Sequence, residues 1–226
     1  MQKIRSVSPS ASALPSAWRD TAPHRLMLTA LLNMLDNALL TTDSATRTLE
    51  HWCRTHHLAG GTPAAPAVRA ILVDTPQRPC PDSLRVHLAL PAQGEKALRY
   101  RHVRLMCGSL VLSDAENWYL PERLTAKMNA ALETTDTPFG RAIADLAFTR
   151  QLVVAERLWS PLPQGWENTP LPSGTGETLD LPPQTLRHQA VLHQPDGLPL
   201  SAVIETYTSA AFHFPPPDMP DNQTKN

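Results

Sequence analysis

Three arginines, Arg99, Arg101 and Arg104, lie within one largely apolar stretch, LRYRHVRLMC at 98–107. If this stretch is a strand, alternation places Arg101 on the face of Val103, the side expected to face the core, and Arg104 on the opposite face. An arginine on a buried face is costly unless it meets an anion. The pattern therefore predicts at Arg101 either an internal ion pair with a carboxylate or a site for an anionic ligand.

A carboxylate near the end of the chain is also predicted to lie on a buried strand face and to need a partner. Glu205 lies in LSAVIETYT, where alternation gives it the same face as Val203 and Tyr207. A carboxylate inside an apolar strand is unusual, and it is expected to pair with an arginine or to face a ligand. If it faces a ligand, it could exchange a proton with a hydroxyl or an enol ether oxygen.

A third candidate is the octet TTDTPFGR at 134–141, which separates two stretches whose apolar residues have helical spacing. Thr137 is suited to cap a helix, and Pro138 then falls at the first helical position, where its missing N–H costs nothing. The N–H groups of Phe139 and Gly140 would remain open at a positive helix end, which suits a carboxylate or a phosphate. The alternative is an ordinary helix start without a ligand.

Composition narrows the function classes. The chain has 226 residues, 42% of them hydrophobic, and a net charge of -1. These values fit a globular protein and lack the basic excess that nucleic-acid binding would need. No GxSxG, Walker or GxGxxG motif occurs, and no two histidines have the spacing of a metal site. We therefore expect a small-molecule ligand, with no metal, no cofactor and no nucleic acid.

The cysteines and the N-terminal segment suggest a compartment. Cys53, Cys80 and Cys107 form an odd, widely spaced set without a CxxC pair, which argues against disulfides and favours a reducing environment. The N-terminal segment is too polar for a signal peptide, and no apolar run approaches the roughly 20 residues of a membrane span. The expectation is a cytoplasmic protein, monomeric or weakly dimeric.

Apolar periodicity predicts helices from Pro23 to about residue 40, then after Asp43 or Ser44 as the cap, and over 122–133. Strands are predicted at 68–74 and 84–90, with one hairpin over 98–118 and another around Pro195-Asp196-Gly197. The proline-rich segment 161–184 is expected to be a lid or an insertion. This order predicts an α+β fold with a sheet covered on one face. It forms one domain over 23–213, between a disordered lead at 1–22 and a disordered tail at 214–226.

Taken in order, these pieces resemble the chorismate lyase (chorismate pyruvate-lyase) family. The likeness rests on LLTTDSATRTLE, on the strand with RHVRLMCG, on TPFGR and on the terminal hairpin with Glu205, and it spans roughly residues 30–212. It implies a six-stranded antiparallel sheet with helices on one side. It also implies a buried pocket in which pyruvate is eliminated from chorismate to leave 4-hydroxybenzoate, a step of ubiquinone biosynthesis that needs no metal.

The resemblance assigns roles to particular residues. It implies that Arg101, or Arg104 if the register slips, holds the aromatic carboxylate together with the backbone N–H of Phe139. Glu205 would meet the ring hydroxyl or ether oxygen, and Asp43 and Ser44 would line the pocket entrance.

One position departs from the family pattern. The family's second arginine, before the proline that closes the strand, corresponds here to Asn117 in DAENWYLP. Asparagine offers neutral hydrogen bonds where arginine offers a fixed charge and a bidentate clamp. Either Arg104 or Arg141 replaces the missing cation, or the ligand differs.

Three functions are therefore expected to compete. The first is a lyase that forms a hydroxybenzoate from chorismate. The second is a non-catalytic binder of an aromatic carboxylate, because the same fold type serves as the effector-sensing half of some transcription regulators; no helix-turn-helix segment is recognised here. The third is a structural protein with a buried ion pair between Arg101 and Glu205.

Overall fold

The computed structural model describes residues 16–59, 68–90 and 94–217. Its helices are α1 (Ala22–Leu40), α2 (Ala45–Thr55), α3 (Asp82–Arg85), α4 (Ala126–Thr134) and α5 (Phe139–Ala142). Its strands are β1 (Arg69–Leu72), β2 (Arg99–Cys107), β3 (Leu110–Tyr119), β4 (Thr149–Arg157), β5 (Gln184–His193) and β6 (Pro199–Thr208). Short 3-10 turns connect several of these elements.

The strands form one six-stranded sheet in the order β1-β2-β3-β6-β5-β4, and every neighbouring pair is antiparallel. The predicted α+β fold with a six-stranded antiparallel sheet is therefore confirmed. Both predicted hairpins are present, β2–β3 around Gly108 and β5–β6 around the turn at Gly197. Both glycines have positive φ, which a side chain would oppose.

One face of the sheet, called the inner face below, carries the main core. Residues on β2 alternate in burial, so that Arg101, Val103, Leu105 and Cys107 all point inward. Helix α1 lies over this face with Leu28, Leu32, Leu35 and Leu39, each at most 1% exposed. Their spacing of three and four residues forms the apolar stripe that the sequence predicts. Burying a leucine of this kind stabilises the fold by about 1.5–3 kcal/mol.

Helix α2 is capped by a side chain at its start and is linked covalently to the inner face at its end. Ser44, one of the two predicted caps, accepts a hydrogen bond from Arg47 N at 3.4 Å. At the other end Cys53 forms a disulfide with Cys107 of β2, with the two Cα atoms 6.4 Å apart. The prediction that the cysteines do not form a disulfide is wrong, because the fold brings together two residues that are 54 positions apart in the sequence.

The predicted strand at 84–90 is also wrong. The chain forms the short helix α3 there, because Pro81 and Asp82 start a turn and Leu84 and Leu88 are then one helical repeat apart. This segment packs Leu84 against Trp118 on the outer face of the sheet. The outer face therefore has a small apolar patch of its own.

Beside the sheet, one further segment differs from expectation and another shows where it packs. The stretch after TTDTPFGR, expected from its helical spacing to be a helix, is the edge strand β4. The segment 161–184 contacts the start of α1, where Asp20 N donates to Glu177 O at 2.7 Å and Gly176 N donates to Asp20 O at 2.8 Å.

The expected disordered lead and tail lie largely outside the described residues, at 1–15 and 218–226. From residue 16 the chain is packed, since Trp18 is fully buried and its Nε1 donates to Phe212 O at 2.8 Å. Phe214 makes an edge contact with Trp18, with ring centroids 5.9 Å apart. The ordered body therefore extends beyond the predicted 23–213 at both ends. Among these described residues, no helix is long and apolar enough to cross a membrane.

Candidate functional site

A cavity lies between the inner face of the sheet and the first residues of α2 and α5. The cavity has a volume of about 50 Å³, counted as the space that the centre of a water molecule can occupy. One bound water needs roughly 10–15 Å³ of such space, so the cavity has room for several waters. Its polar lining comes from Asp43, Ser44, Thr46, Arg101, Asn117, Arg150 and Glu205. Its apolar lining includes Val103, Leu105, Phe139, Phe148, Leu192 and Val203. The surface of the cavity is thus mostly apolar, and its wall contains two arginines.

Arg101 is the first of these arginines, and it lies on the inner face as alternation predicts. It is 5% exposed, its Nε donates to Leu132 O at 3.1 Å, and its Nη2 donates to Thr137 O at 3.0 Å. Its Nη1 is buried without a hydrogen-bond partner, and no carboxylate of the described residues forms an ion pair with it. Burial lowers the pKa of Arg101. The two carbonyls fix the guanidinium while its charge stays without a counterion.

Arg104 does not reach the cavity, so its suggested role as an alternative to Arg101 is wrong. It lies on the outer face, where its Nε is 3.5 Å from Asp114 Oδ2. Asp114 also contacts His102 Nε2 at 2.6 Å. Burial favours a higher pKa for Asp114, but the contacts with His102 and Arg104 outweigh it and lower that pKa. Arg104 is thus a member of an outer-face charge network.

Glu205 lies on the inner face and is 7% exposed. Its Oε2 accepts hydrogen bonds from Arg150 Nη2 at 2.8 Å and from Tyr207 Oη at 3.0 Å. Burial raises the pKa of Tyr207 far above its ordinary value, and the neighbouring Glu205 charge raises it further. The predicted ion pair between Arg101 and Glu205 is therefore wrong, because the partner of Glu205 is Arg150.

Arg150 is the site residue that the sequence reasoning missed. It projects from the edge strand β4, its side chain is 3% exposed, and its Nη1 donates to Leu39 O at 3.3 Å. Its backbone N–H donates to Asp43 Oδ1 at 3.3 Å. Burial favours a lower pKa for Arg150, but the Glu205 charge outweighs it and raises that pKa. Arg150 thus connects the end of α1, the loop before α2 and the carboxylate of β6.

Asn117 is directly opposite Arg101 in the pairing of β2 with β3. It is 4% exposed, and its side-chain Oδ1 is buried without a partner. The structure therefore places an amide in the cavity at the position where the resemblance implied a second arginine.

The TPFGR segment contributes Phe139 and Gly140 to the cavity wall. Helix α5 begins at Phe139, and Pro138 rather than Thr137 precedes it, without a side-chain cap. The predicted cap at Thr137 is wrong, because the helix begins one residue later than expected and the Thr137 Oγ1 instead accepts a hydrogen bond from Thr135 Oγ1 at 2.8 Å. A Cβ on Gly140 would lie 3.5 Å from Ser44 Oγ, an ordinary van der Waals distance, so α5 and the start of α2 are neighbours in the cavity wall.

Arg141 forms an ion pair with Glu50 of α2, and its side chain is 43% exposed. It does not line the cavity, and its suggested role as a replacement for the missing cation is wrong. Arg150, rather than Arg104 or Arg141, is the second cation of the site.

Fold and site together define an α+β protein with a cavity whose wall contains two buried arginines. No family model matches the chain. The chain is 42% identical over 221 residues to the uncharacterized protein y4mC of Sinorhizobium fredii (strain NBRC 101917 / NGR234), a match that covers 96% of this chain and 91% of the relative. The chain belongs to the same family as y4mC.

Solved structures give weaker similarities. Those matched include YydK from Bacillus subtilis (TM-score 0.38, 14% identity, 67% of this chain) and PhnF from Mycobacterium smegmatis (TM-score 0.40, 11% identity, 66% of this chain). A GntR-family transcriptional regulator from Enterococcus faecalis V583 matches with a TM-score of 0.39 and 13% identity, over 66% of this chain and 99% of that chain. The chain spans less than two thirds of YydK and PhnF, 62% and 61% of their lengths.

These findings correct the expected family. No family model matches the chain, and the family that the comparisons show is that of y4mC. The prediction that the chain is a divergent chorismate lyase family member is therefore wrong, and the link to that family is limited to the coarse fold class. Function has to be argued from the cavity itself.

Proposed function

We propose that this protein binds a small aromatic carboxylate, such as 4-hydroxybenzoate, in the cavity between the sheet and helices α2 and α5. One observation carries the proposal: Arg101 is a buried cation held by two carbonyls, with a free Nη1 and no carboxylate partner among the described residues. A buried charge without a counterion is costly, and a bound carboxylate would remove most of that cost.

The rest of the lining supports an aromatic ligand body. Phe139 and Phe148 form part of the wall opposite Val103 and Val203 of the sheet. Pockets that combine an apolar wall with a few fixed polar groups are typical small-molecule sites. The open space is small, so a ligand as large as chorismate would require these aromatic side chains to move.

Paired arginine variants test the proposal. Thermal shift and calorimetric titration with benzoate and 4-hydroxybenzoate are expected to show binding to the unmodified chain and at least a tenfold loss for Arg101→Gln, about 1.4 kcal/mol. Each variant is compared with its own ligand-free melting temperature. The matched control is Arg104→Gln, which removes an arginine from the opposite face of the same strand and should leave affinity unchanged. Equal losses in both variants, or no binding by the unmodified chain, would refute the proposal.

Elimination of pyruvate from chorismate is a second candidate function. It is favoured by the presence of Glu205 and Arg101 in the wall of the same cavity. Such a reaction needs orientation, water exclusion and a proton at the ether oxygen. Against it, the Glu205 carboxylate is already bonded to Arg150, and chorismate has two carboxylates for one unpaired cation. Incubation with chorismate and a coupled pyruvate assay decides between the candidates. Binding of 4-hydroxybenzoate without pyruvate release above the uncatalysed rate would leave the binding function alone.

A further inference from the structure

The disulfide between Cys53 and Cys107 joins two elements that both form the cavity wall. Helix α2 supplies its first residues, and β2 supplies three residues of its inner face, Arg101, Val103 and Leu105. Cys107 lies on the same face of β2, two positions beyond Leu105, which is about 7 Å along the strand. The cavity and the disulfide therefore lie between the same helix and the same strand, and the covalent bond limits how far α2 can move from the sheet.

The disulfide is closed off from solvent. Cys53 and Cys107 are 1% and 0% exposed, and both belong to the main core. Protein cores are close-packed, and two thiols need more room than a disulfide because their sulfur atoms are no longer bonded. Reduction therefore requires α2 to move away from β2, first to admit the reductant and then to accommodate both thiols.

Helix α2 has other attachments that do not depend on the disulfide. Trp52 Nε1 donates to Ala211 O at 2.8 Å, and Glu50 forms an ion pair with Arg141 of α5. These contacts hold the helix to its neighbours after the disulfide has opened. We therefore expect reduction to loosen this wall of the cavity without unfolding the chain.

We propose that the disulfide between Cys53 and Cys107 is a redox switch of the cavity, so that the disulfide form binds its ligand tightly and the dithiol form binds it weakly. This inference rests on the proposed binding function. A ligand held between β2 and the start of α2 favours the arrangement in which the two elements are close, which is the arrangement that the disulfide enforces. Ligand binding and disulfide formation then favour each other by the same factor, because coupling between two equilibria is reciprocal.

The chemistry of the switch is thiol–disulfide exchange with a small dithiol as the reductant. One thiolate of the dithiol attacks a sulfur of the protein disulfide, forms a mixed disulfide and releases the other cysteine as a thiolate. The second thiol of the reductant then attacks the mixed disulfide and releases the remaining cysteine. In sum, the protein disulfide takes up two electrons and two protons, and the dithiol becomes a cyclic disulfide. A small-molecule disulfide is the oxidant for the reverse reaction.

Calorimetric titration of the two redox forms with 4-hydroxybenzoate tests the proposal. Thiol counting verifies the forms, because only Cys80 of the three cysteines is outside the disulfide. The fully reduced chain is expected to bind at least about fivefold more weakly, the lower end of the usual range for coupled sites. Saturating 4-hydroxybenzoate should raise, by the same factor, the ratio of dithiol to cyclic disulfide at which half of the protein is reduced. Without ligand, amide hydrogen exchange in α2 should become faster after reduction.

Cysteine variants provide the controls. Cys80→Ala removes the third cysteine, which lies in the outer-face cluster with Leu84 and Trp118, and it should keep the full redox response. Cys53→Ala combined with Cys107→Ala should bind weakly both with and without the reductant. If this double variant does not fold, the two redox forms of the unmodified chain still decide the question.

Equal affinities of the fully oxidised and fully reduced chains would overturn the switch while binding itself stands. A reduced chain that is unfolded by circular dichroism would also overturn it, because the disulfide would then be structural only. If neither form binds benzoate or 4-hydroxybenzoate, the proposed function fails and this inference fails with it.

Discussion

Arg101 and Arg150 are both buried in the wall of one cavity, yet they are held in opposite ways. Arg101 is fixed by two backbone carbonyls and has no carboxylate partner among the described residues, whereas Arg150 is paired with Glu205 at 2.8 Å. Burial lowers the pKa of Arg101, while the Glu205 charge raises that of Arg150. Arg150 has its counterion within the fold, whereas under the proposed function a ligand carboxylate would supply the counterion of Arg101. On that proposal the difference separates a structural charge from a ligand-binding charge.

The largest expected effect on stability comes from breaking the ion pair between Arg150 and Glu205. Glu205→Gln leaves Arg150 buried without its counterion, so the free energy of unfolding should fall by about 3–5 kcal/mol. Urea denaturation at neutral pH measures the change. Adding Arg150→Met to this variant should recover most of the loss, because neither member of this pair then remains as an unpaired buried charge.

The matched control is Glu156→Gln, which removes an exposed ion pair with Arg187, 3.7 Å apart. It should cost less than about 1 kcal/mol. If Glu205→Gln lowers the free energy of unfolding no more than this control does, the Arg150–Glu205 pair does not stabilise the fold. Arg150 would then not be the structural charge of the two arginines.

Removal of Arg101 should have a smaller effect on stability than removal of Glu205. Arg101→Met removes a buried cation that has no ion pair, but it leaves the carbonyls of Leu132 and Thr137 without their donor. These terms oppose each other, so the free energy of unfolding is expected to change by less than about 2 kcal/mol, while the response to benzoates disappears. Denaturation and titration of the same preparation check both halves. A loss as large as that of Glu205→Gln would mean that Arg101 is a structural charge as well.

The smallest expected effect concerns Asp36, a carboxylate that has cationic partners, and the pH dependence of stability. Burial favours a higher pKa for Asp36, but contacts with His188 at 2.9 Å and Arg157 at 3.2 Å outweigh it and hold that pKa below the usual 3.8. Because the folded-state pKa is lowered, this contribution to stability is present above about pH 4 and is lost as the pH falls further.

Asp36→Asn should therefore make the free energy of unfolding less dependent on pH below about 4. The difference should be less than about 1 kcal/mol, because the side chain is partly exposed and its charge is screened by solvent. Denaturation curves between about pH 3 and about pH 6 measure it. The exposed Asp145→Asn is the control, and identical pH profiles for the two variants would contradict the prediction.

Local sequence patterns predicted the parts of the site that depend on a single element. Strand alternation was enough to place Arg101 on the inner face, and the turn residues of two hairpins fixed the central strands. Phe139, Gly140 and Ser44 also line the cavity as expected from their segments. These residues owe their positions to short-range rules.

The remaining parts depend on contacts between distant segments. Arg150 lies 55 positions from Glu205 and on a strand that is not its neighbour in the sheet, so no local periodicity marks the pair. The same holds for the disulfide between Cys53 and Cys107. For Arg141, the sequence could show that a cation was present but not which surface it would occupy, whereas alternation already placed Arg104 on the face opposite Arg101.

The position of β4 at the edge of the sheet has a further consequence for the two arginines. Arg101 belongs to a strand hydrogen-bonded on both sides, by β1 and β3, whereas among the described strands the one that carries Arg150 has β5 as its only neighbour. Edge strands open locally at lower free energy than interior strands, and their amide hydrogens exchange sooner. Fraying of β4 would withdraw Arg150 from Glu205 while Arg101 stays in place. The cavity wall would then transiently lose one of its two arginines and keep the other.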